Sequence, residues 1–320
     1  MQVGGGIATF IIDGALPQPS PLFAMNDTPA PTEPRLHGVQ CLDGRGLHRM
    51  AYWEWGNPAN PRVLVCAHGL TRQGRDFDVL ARAMQGEWRV VCPDVVGRGR
   101  SDWLDDPAGY QIAAYAADMV TLLARLNADE LHWVGTSMGG LIGLGLAALK
   151  NSPIRRMVLN DVGPTIEYAS IQRIGAYLGA PVRWRSLDEA ADYLRGISQG
   201  FGPHSRDEWL ALTRAMVRPA SDGDGLVPHY DPRIALPFRL LTPELAQAGE
   251  AQLWQRWDAV RCPVLLLRGA ESDLLSRATA QAMTERGPKA RLHEFAGIGH
   301  APTIIAADQV AVVRDFLLGP

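Results

Sequence analysis

A serine stands between two glycines in Gly135-Thr136-Ser137-Met138-Gly139, directly after a strand-like apolar run and directly before a helical one. G-x-S-x-G alone is a weak pattern, and the strand–turn–helix context gives it meaning. The glycines permit a tight turn that lifts the Ser137 hydroxyl above the carboxyl ends of the strands. The following helix directs free N–H groups at any developing anion. The pattern therefore predicts a nucleophile, the alternative being a serine that only caps the helix.

A serine hydroxyl near pH 7 needs a base to remove its proton as it attacks. His300 is the best candidate, because Gly299-His300-Ala301-Pro302 falls on the loop between the last predicted strand and the last predicted helix. The other histidines lie in predicted strands, in the first hairpin or in a long helical insertion; they are His37, His48, His68, His132, His204, His229 and His293.

Three carboxylates are candidates for orienting the histidine. Asp273 is favoured, because it follows the seventh predicted strand and gives the chain order serine, acid, histidine. Asp161 follows the sixth strand in Asn160-Asp161-Val162-Gly163 and is an alternative. Glu271 lies two residues before Asp273 and is a second alternative.

A loop after the third predicted strand, His68-Gly69-Leu70-Thr71, is expected to form one side of an oxyanion hole. Gly69 is expected to let the backbone turn so that the Leu70 N–H points to the serine. The N–H of Met138 would be the second donor. His68 is expected to be a structural hydrogen-bonding residue. His68, Gly69 and Trp103 are also candidates for the wall of the substrate pocket.

The elements that must position these residues alternate between strand and helix from residue 39 onward. Several strands are continuously apolar, the pattern of strands buried on both faces. Such alternation predicts an α/β fold, a mostly parallel, twisted, eight-stranded sheet flanked by helices. The predicted strands cover residues 39–42, 47–55, 62–67, 89–93, 131–134, 156–160, 264–268 and 291–295.

The chain divides into three predicted parts. Residues 1–35 form a Pro-rich leader that is expected to be disordered, and Met25 is an alternative start. Residues 36–163 and 262–320 form the core. Residues 164–261 follow the sixth strand, are mostly helical and are predicted to cap the sheet. Within them, Ser186 and Ser205 are each followed three residues later by glutamate, which predicts two capping boxes.

Composition excludes several function classes. A formal net charge of -3 gives no electrostatic basis for binding nucleic acid or an anionic membrane, and no apolar stretch is long enough to span a bilayer. The four cysteines are widely spaced and predict reduced thiols, no metal site and a cytoplasmic location. A leader without an early Lys or Arg argues against export. The acidic loop 222–225 is too short for an EF-hand and predicts a solvated turn.

These motifs occur together in an order that resembles the α/β-hydrolase superfamily over residues 36–320. The resemblance rests on His68-Gly69-Leu70, on Asp94-Val-Val-Gly-Arg-Gly-Arg-Ser101, on the Ser137 turn, on Gly269-Ala-Glu-Ser-Asp273 and on Gly299-His300. It implies a cap and a serine hydrolase. Haloalkane dehalogenases and epoxide hydrolases use an aspartate nucleophile, so those branches are excluded.

The resemblance leaves carboxylesterases, lactonases and carbon–carbon hydrolases of aromatic ring degradation. The last group often has Asn before the nucleophile, where this chain has Thr136. We therefore expect hydrolysis of a small carboxylic ester with a hydrophobic part, through an acyl-enzyme and without a cofactor. Carbon–carbon or lactone hydrolysis is the alternative, and a non-catalytic ligand-binding protein on the same scaffold is another.

Overall fold

The computed structural model describes Met1 and residues 33–319. The predicted leader therefore lies outside the described residues, except for its ends. The strands in chain order are β1 Arg35–Leu42, β2 Leu47–Trp55, β3 Arg62–Ala67, β4 Arg89–Pro93, β5 Glu130–Thr136, β6 Ile154–Asn160, β7 Val217–Pro219, β8 Leu226–Pro228, β9 Val264–Gly269 and β10 Arg291–Phe295.

Eight strands form one sheet in the order β1-β2-β4-β3-β5-β6-β9-β10. The pairs β1–β2 and β2–β4 are antiparallel, and all the others are parallel. The predicted eight-stranded, mostly parallel α/β sheet is confirmed. Because β3, β5, β6 and β9 are parallel neighbours, the loops after them all emerge at one edge of the sheet.

The sheet is covered on both faces, which follows directly from the strand sequences. In β3, Val63, Val65 and Ala67 pack into one hydrophobic cluster, whereas the alternate residues Leu64 and Cys66 pack into the other. Side chains of a strand alternate between faces, so a continuously apolar strand supplies two cores at once. All four cysteines are free thiols.

Ten α-helices accompany the strands within the described residues. They are α1 Asp78–Met84, α2 Ile112–Leu126, α3 Met138–Ala147, α4 Tyr168–Tyr177, α5 Leu187–Ile197, α6 Arg206–Arg214, α7 Leu236–Arg239, α8 Pro243–Ala259, α9 Arg277–Glu285 and α10 Ala307–Leu318. None of the helices in this part of the chain is long and apolar enough to cross a membrane.

The segment between β6 and β9 contains α4 to α8 and the small hairpin β7–β8, which the sequence did not predict. Ser205 and Glu208 form the expected capping box at α6. At α5, the Ser186 side chain accepts from the Glu189 N–H, but the Glu189 carboxylate accepts from the N–H of Arg185 instead of closing the box. The short β7–β8 strands carry too little periodicity to be recognised from sequence.

Candidate active site

Ser137 lies on a sharp turn between the end of β5 and the start of α3. Its backbone has φ 50° and ψ -114°, a strained conformation for a residue with a side chain. The flanking glycines make the turn feasible. A Cβ at Gly139 would lie 2.0 Å from the carbonyl oxygen of Ala67, and one at Gly135 would lie 2.4 Å from the carbonyl oxygen of Gly139. The close approach of β3, β5 and α3 therefore requires glycine at both positions.

The structure brings Ser137 and His300 together from distant parts of the chain. The distance from His300 Nε2 to Ser137 Oγ is 3.1 Å, within hydrogen-bond reach. On the other side of the ring, His300 Nδ1 lies 2.7 Å from Asp161 Oδ2. The three side chains form a continuous chain of hydrogen bonds. Such an arrangement can deprotonate the serine and stabilise the imidazolium that results.

Asp161 is held rigidly at the end of β6 and is completely buried. One carboxylate oxygen accepts from the Gly269 N–H at 2.9 Å, and the other accepts from the Ser272 hydroxyl at 2.6 Å as well as facing His300. Its backbone has φ 56°, a left-handed conformation that Asp and Asn tolerate better than most residues. Hydrogen bonds to a buried carboxylate offset the cost of its desolvation and fix its direction.

The structure does not bring Asp273 to His300, which corrects the expectation that Asp273 orients the ring. The Asp273 side chain is half exposed and accepts two hydrogen bonds from the guanidinium of Arg173 in α4, at 2.8 and 2.9 Å. Glu271 is also exposed, and its carboxylate accepts from the N–H of Gly297 at 3.1 Å. The loop after β9 turns both side chains outward, and of the three candidates only Asp161 contacts the imidazole.

The two expected oxyanion donors belong to the residue after the serine and to the loop after β3. Met138 is the first residue of α3, where a helix N–H has no intrahelical acceptor. Leu70 follows β3, and its N–H makes no hydrogen bond within residues 33–319. A Cβ at Gly69 would lie 3.9 Å from the Cβ of Ser137, an ordinary contact distance, so Gly69 lies beside the nucleophile. That Gly69 lets the backbone turn toward the serine stays a prediction.

His68 is completely buried, so its side chain does not line a pocket, and the expectation that it does is corrected. Its Nδ1 lies 2.7 Å from the Gly69 carbonyl oxygen, and its Nε2 accepts from the Val95 N–H at 2.9 Å. A ring nitrogen that accepts must be unprotonated, so the ring is held neutral. Burial lowers the pKa of His68 to about 3. This histidine links the loop after β3 to the loop after β4.

The helical segment between β6 and β9 contacts the loop of His300 directly. The Gly299 N–H donates to the carbonyl oxygen of Gly200 at 2.7 Å, and His204 Nε2 lies 3.3 Å from the hydroxyl of Thr303. A Cβ at Gly200 would lie 2.9 Å from the backbone nitrogen of His300. The backbone of this segment therefore lies against the histidine itself, a contact that no sequence pattern indicated.

Neither of two cavities in the described residues has Ser137 or His300 in its walls. The larger, about 690 Å³, lies between α1 and α6 and has Arg75, Arg100 and Arg218 in its lining. The smaller, about 350 Å³, includes Trp103, over whose ring the Arg218 guanidinium stacks at 5.4 Å. Trp103 is thus a cavity-wall residue, but the structure does not connect its cavity to the serine.

One group of side chains in the described residues has the chemistry of a metal site. Cys41, His48 and Asp118 are buried, and their ligand atoms lie within 4.8 Å of one another. His48 Nε2 and Asp118 Oδ2 are 3.0 Å apart and form a hydrogen bond, which is a sufficient reason for the cluster. β2, which carries His48, is separated from β5 by two strands, so the cluster is remote from Ser137.

Known proteins are similar to this chain along most of its length. The family model for the alpha/beta hydrolase fold matches residues 62–306. A 3-hydroxybutyrate-oligomer hydrolase of Cupriavidus necator is 54% identical over 288 residues, which are 89% of this chain and 98% of that protein. Esterase YbfF of Escherichia coli is 25% identical over 76% of this chain and 88% of its own length.

A solved structure shows the same likeness in three dimensions. An alpha/beta hydrolase from Novosphingobium aromaticivorans superimposes with a TM-score of 0.78 at 35% identity, covering 89% of this chain and 98% of that one. The family model covers most of the chain, and the relative from Cupriavidus is similar along nearly its whole length. The chain therefore belongs to the α/β-hydrolase family and is an enzyme of the hydrolase class.

Proposed function

We propose that this enzyme hydrolyses carboxylic esters through a covalent acyl-serine, with Ser137 as nucleophile, His300 as general base and acid, and Asp161 as the orienting carboxylate. One observation carries the proposal. The Ser137 hydroxyl, both nitrogens of His300 and the buried Asp161 carboxylate form one hydrogen-bonded series with distances of 3.1 and 2.7 Å. That series is the geometry required for serine nucleophilic catalysis.

In the first half-reaction, Ser137 Oγ attacks the ester carbonyl carbon while His300 Nε2 takes the hydroxyl proton. The carbonyl oxygen becomes an anion that the N–H groups of Leu70 and Met138 stabilise. The tetrahedral intermediate then breaks its bond to the alcohol oxygen, to which His300 returns the proton. In the second half-reaction, His300 deprotonates a water that attacks the acyl-serine, and the carboxylic acid leaves as Ser137 recovers its proton.

We propose short oligomeric esters of a hydroxy acid as the substrate class. The support is the relative from Cupriavidus necator, which is 54% identical over almost its whole length and is named a 3-hydroxybutyrate-oligomer hydrolase. In this proposal residues 164–261 act as a cap, because Gly200 lies against the backbone of His300. The cytoplasmic location predicted from the sequence stays a prediction.

The test is hydrolysis of the 3-hydroxybutyrate dimer and trimer by the wild type and by Ser137→Ala. We expect the variant to lose at least about 10⁴-fold in kcat while its circular dichroism and Tm stay unchanged. A fluorophosphonate probe should label the wild type and leave Ser137→Ala unlabelled. Ser221→Ala, on the exposed β7–β8 turn, is the matched control and should behave as wild type.

The same experiment separates this proposal from its alternatives. Carbon–carbon and lactone hydrolysis use the same three side chains, so lactones and vinylogous diketones belong in the substrate panel. A protein that binds ligands without catalysis would fail to react with the fluorophosphonate. Unchanged turnover in Ser137→Ala, or faster turnover of a diketone than of any ester, would contradict the assignment.

A further inference from the structure

Arg98 is a completely buried arginine in the loop after β4. Its guanidinium donates to the carbonyl oxygens of Leu70 and Val96, each at 2.8 Å, and to the Tyr115 hydroxyl at 2.9 Å. Its remaining terminal nitrogen lies 3.6 Å from the sulfur of Met138. Arg98 thus contacts both residues whose N–H groups would bind the oxyanion.

Within residues 33–319, no carboxylate oxygen forms an ion pair with the guanidinium of Arg98. The two neighbouring aspartates have other partners: Asp94 accepts from the backbone of Gly74 and Arg100, and Asp231 pairs with Arg233. A guanidinium stays charged in proteins, so among the described residues this buried positive charge has no acidic counterpart.

The segment between β6 and β9 contributes to the burial of this charge. The Asp231 N–H donates to the carbonyl oxygen of Gly97 at 2.8 Å, and the Gly99 N–H donates to that of His229 at 2.9 Å. These two bonds flank Arg98, and its backbone also pairs with Tyr230. The rings of Tyr110 and Tyr115 lie 5.7 and 5.0 Å from the guanidinium carbon and supply the weak attraction of aromatic faces for a cation.

Such a charge favours an anion nearby far more than a neutral group. A substrate ester is neutral, whereas the tetrahedral intermediate carries a full negative charge between the N–H groups of Leu70 and Met138. An interaction that strengthens only as charge develops raises kcat rather than affinity for the substrate. Because the guanidinium is completely buried and held by three hydrogen bonds, the attraction is less screened than at the surface and needs little reorganisation during the reaction.

We propose that Arg98 is a positioning residue of the oxyanion hole, which holds Leu70 and Met138 in place and supplies the positive potential behind their N–H groups. The inference rests on the proposed function, because it concerns the same tetrahedral intermediate. The field of Arg98 also reaches His68 on the oxyanion loop: burial is the main cause of the low pKa of His68, and the charge of Arg98 lowers it further.

The experiment compares Arg98→Gln, which removes the charge, with Arg98→Lys, which retains it. Arg100→Gln removes an exposed charge two residues away and serves as the matched control. The readouts are kcat and KM for p-nitrophenyl butyrate, Tm, and the Ki of butane-1-boronic acid. That acid adds to the serine oxygen as a tetrahedral anion and so imitates the intermediate, whereas KM reports mainly on the neutral substrate.

We expect Arg98→Gln to lower kcat about 10- to 100-fold and to weaken boronate binding by a similar factor, with KM changed less than about 3-fold. Arg98→Lys should recover at least part of both losses, and Arg100→Gln should match the wild type. If Arg98→Gln does not fold, the test of the charge is the boronate affinity of Arg98→Lys relative to the wild type. A loss of boronate affinity above about 100-fold in Arg98→Lys would overturn the role of the charge.

Two further results would overturn the proposal. One is a folded Arg98→Gln with wild-type kcat and Ki. The other is a parallel loss of kcat, KM and Tm with unchanged boronate affinity, which indicates a purely structural residue. Failure of the proposed function looks different, since the wild type itself would then neither hydrolyse esters nor bind boronate more tightly than Ser137→Ala.

Discussion

The ends of β6 and β9 are neighbours in the sheet, and each is followed by an aspartate that sequence reasoning offered as the partner of His300. Asp161 after β6 has a completely buried side chain, whereas the side chain of Asp273 after β9 is half exposed and pairs with Arg173. Both loops emerge at the same edge. Position at a strand end is therefore not enough to place a carboxylate against the histidine.

The difference arises because the loop after β9 supports the carboxylate of the loop after β6. The Gly269 N–H and the Ser272 hydroxyl both donate to Asp161. A Cβ at Gly269 would lie 2.2 Å from the carbonyl oxygen of Gly299, so the β9 loop also packs tightly against the histidine loop. With Ser272 turned inward, Asp273 is directed outward. One loop carries the acid and the next fixes its orientation.

Among changes at these strand ends, the largest expected effect comes from Asp161→Asn. Asparagine tolerates the left-handed backbone of this position and retains the shape, but it removes the charge that stabilises the imidazolium. We expect kcat for a p-nitrophenyl ester to fall about 10³- to 10⁴-fold with a small change in Tm. Steady-state kinetics with thermal unfolding measures both. A loss below tenfold would show that the structure has identified the wrong acid.

Ser272→Ala tests whether the β9 loop orients Asp161. The variant removes a hydrogen bond of 2.6 Å to the carboxylate, and hydrogen bonds to charged groups contribute about 1.5–3 kcal/mol. We expect kcat to fall about tenfold with KM nearly unchanged. Ser276→Ala, which removes the N-cap of α9, is the control that lowers stability without touching Asp161. Equal activity in the two variants would contradict the supporting role.

His68 directly follows β3 and, like Asp161 after β6, has a completely buried side chain. The pKa of His68 is lowered to about 3 by burial, so between pH 6.5 and 3 the unfolded chain binds a proton that the folded chain does not. Stability due to His68 is therefore present above pH 6.5 and is lost as the pH falls. The slope approaches about 1.4 kcal/mol per pH unit.

His68→Gln should remove this contribution and make the free energy of unfolding less dependent on pH between 6.5 and 4.5. Urea unfolding of both proteins at several pH values measures it. If the free energy of unfolding depends on pH equally in the two proteins, the result would contradict the lowered pKa of His68 in the folded state.

The smallest expected effect comes from Asp273→Asn, which makes the same chemical change as Asp161→Asn at the exposed strand end. Exposed ion pairs contribute about 0–1 kcal/mol, and Asp273 does not contact His300. We expect kcat within about threefold of wild type and a Tm lowered by at most a few degrees. Arg173→Gln should give the same result. A large loss of kcat in Asp273→Asn alone would restore Asp273 as the functional acid.

Much of the fold was predictable because it is encoded locally. Apolar runs such as 62–67 and 264–268 specify strands buried on both faces, and Ser205 with Glu208 specifies the start of α6. The β7–β8 hairpin was not predictable, because two three-residue strands carry no readable alternation. Arg98 was not recognised either, because an arginine in a Gly-rich loop has the same pattern whether it is buried or solvated.

The sequence by itself determined the serine turn, the histidine loop and most of the strands and helices along the chain, because glycine spacing and hydrophobic periodicity act over a few residues. Only the tertiary structure decided which carboxylate meets the imidazole and which arginine contacts both Leu70 and Met138. Those choices depend on which side chains are removed from water and on what they meet there. Burial and direction are properties of packed neighbours that lie far apart along the chain.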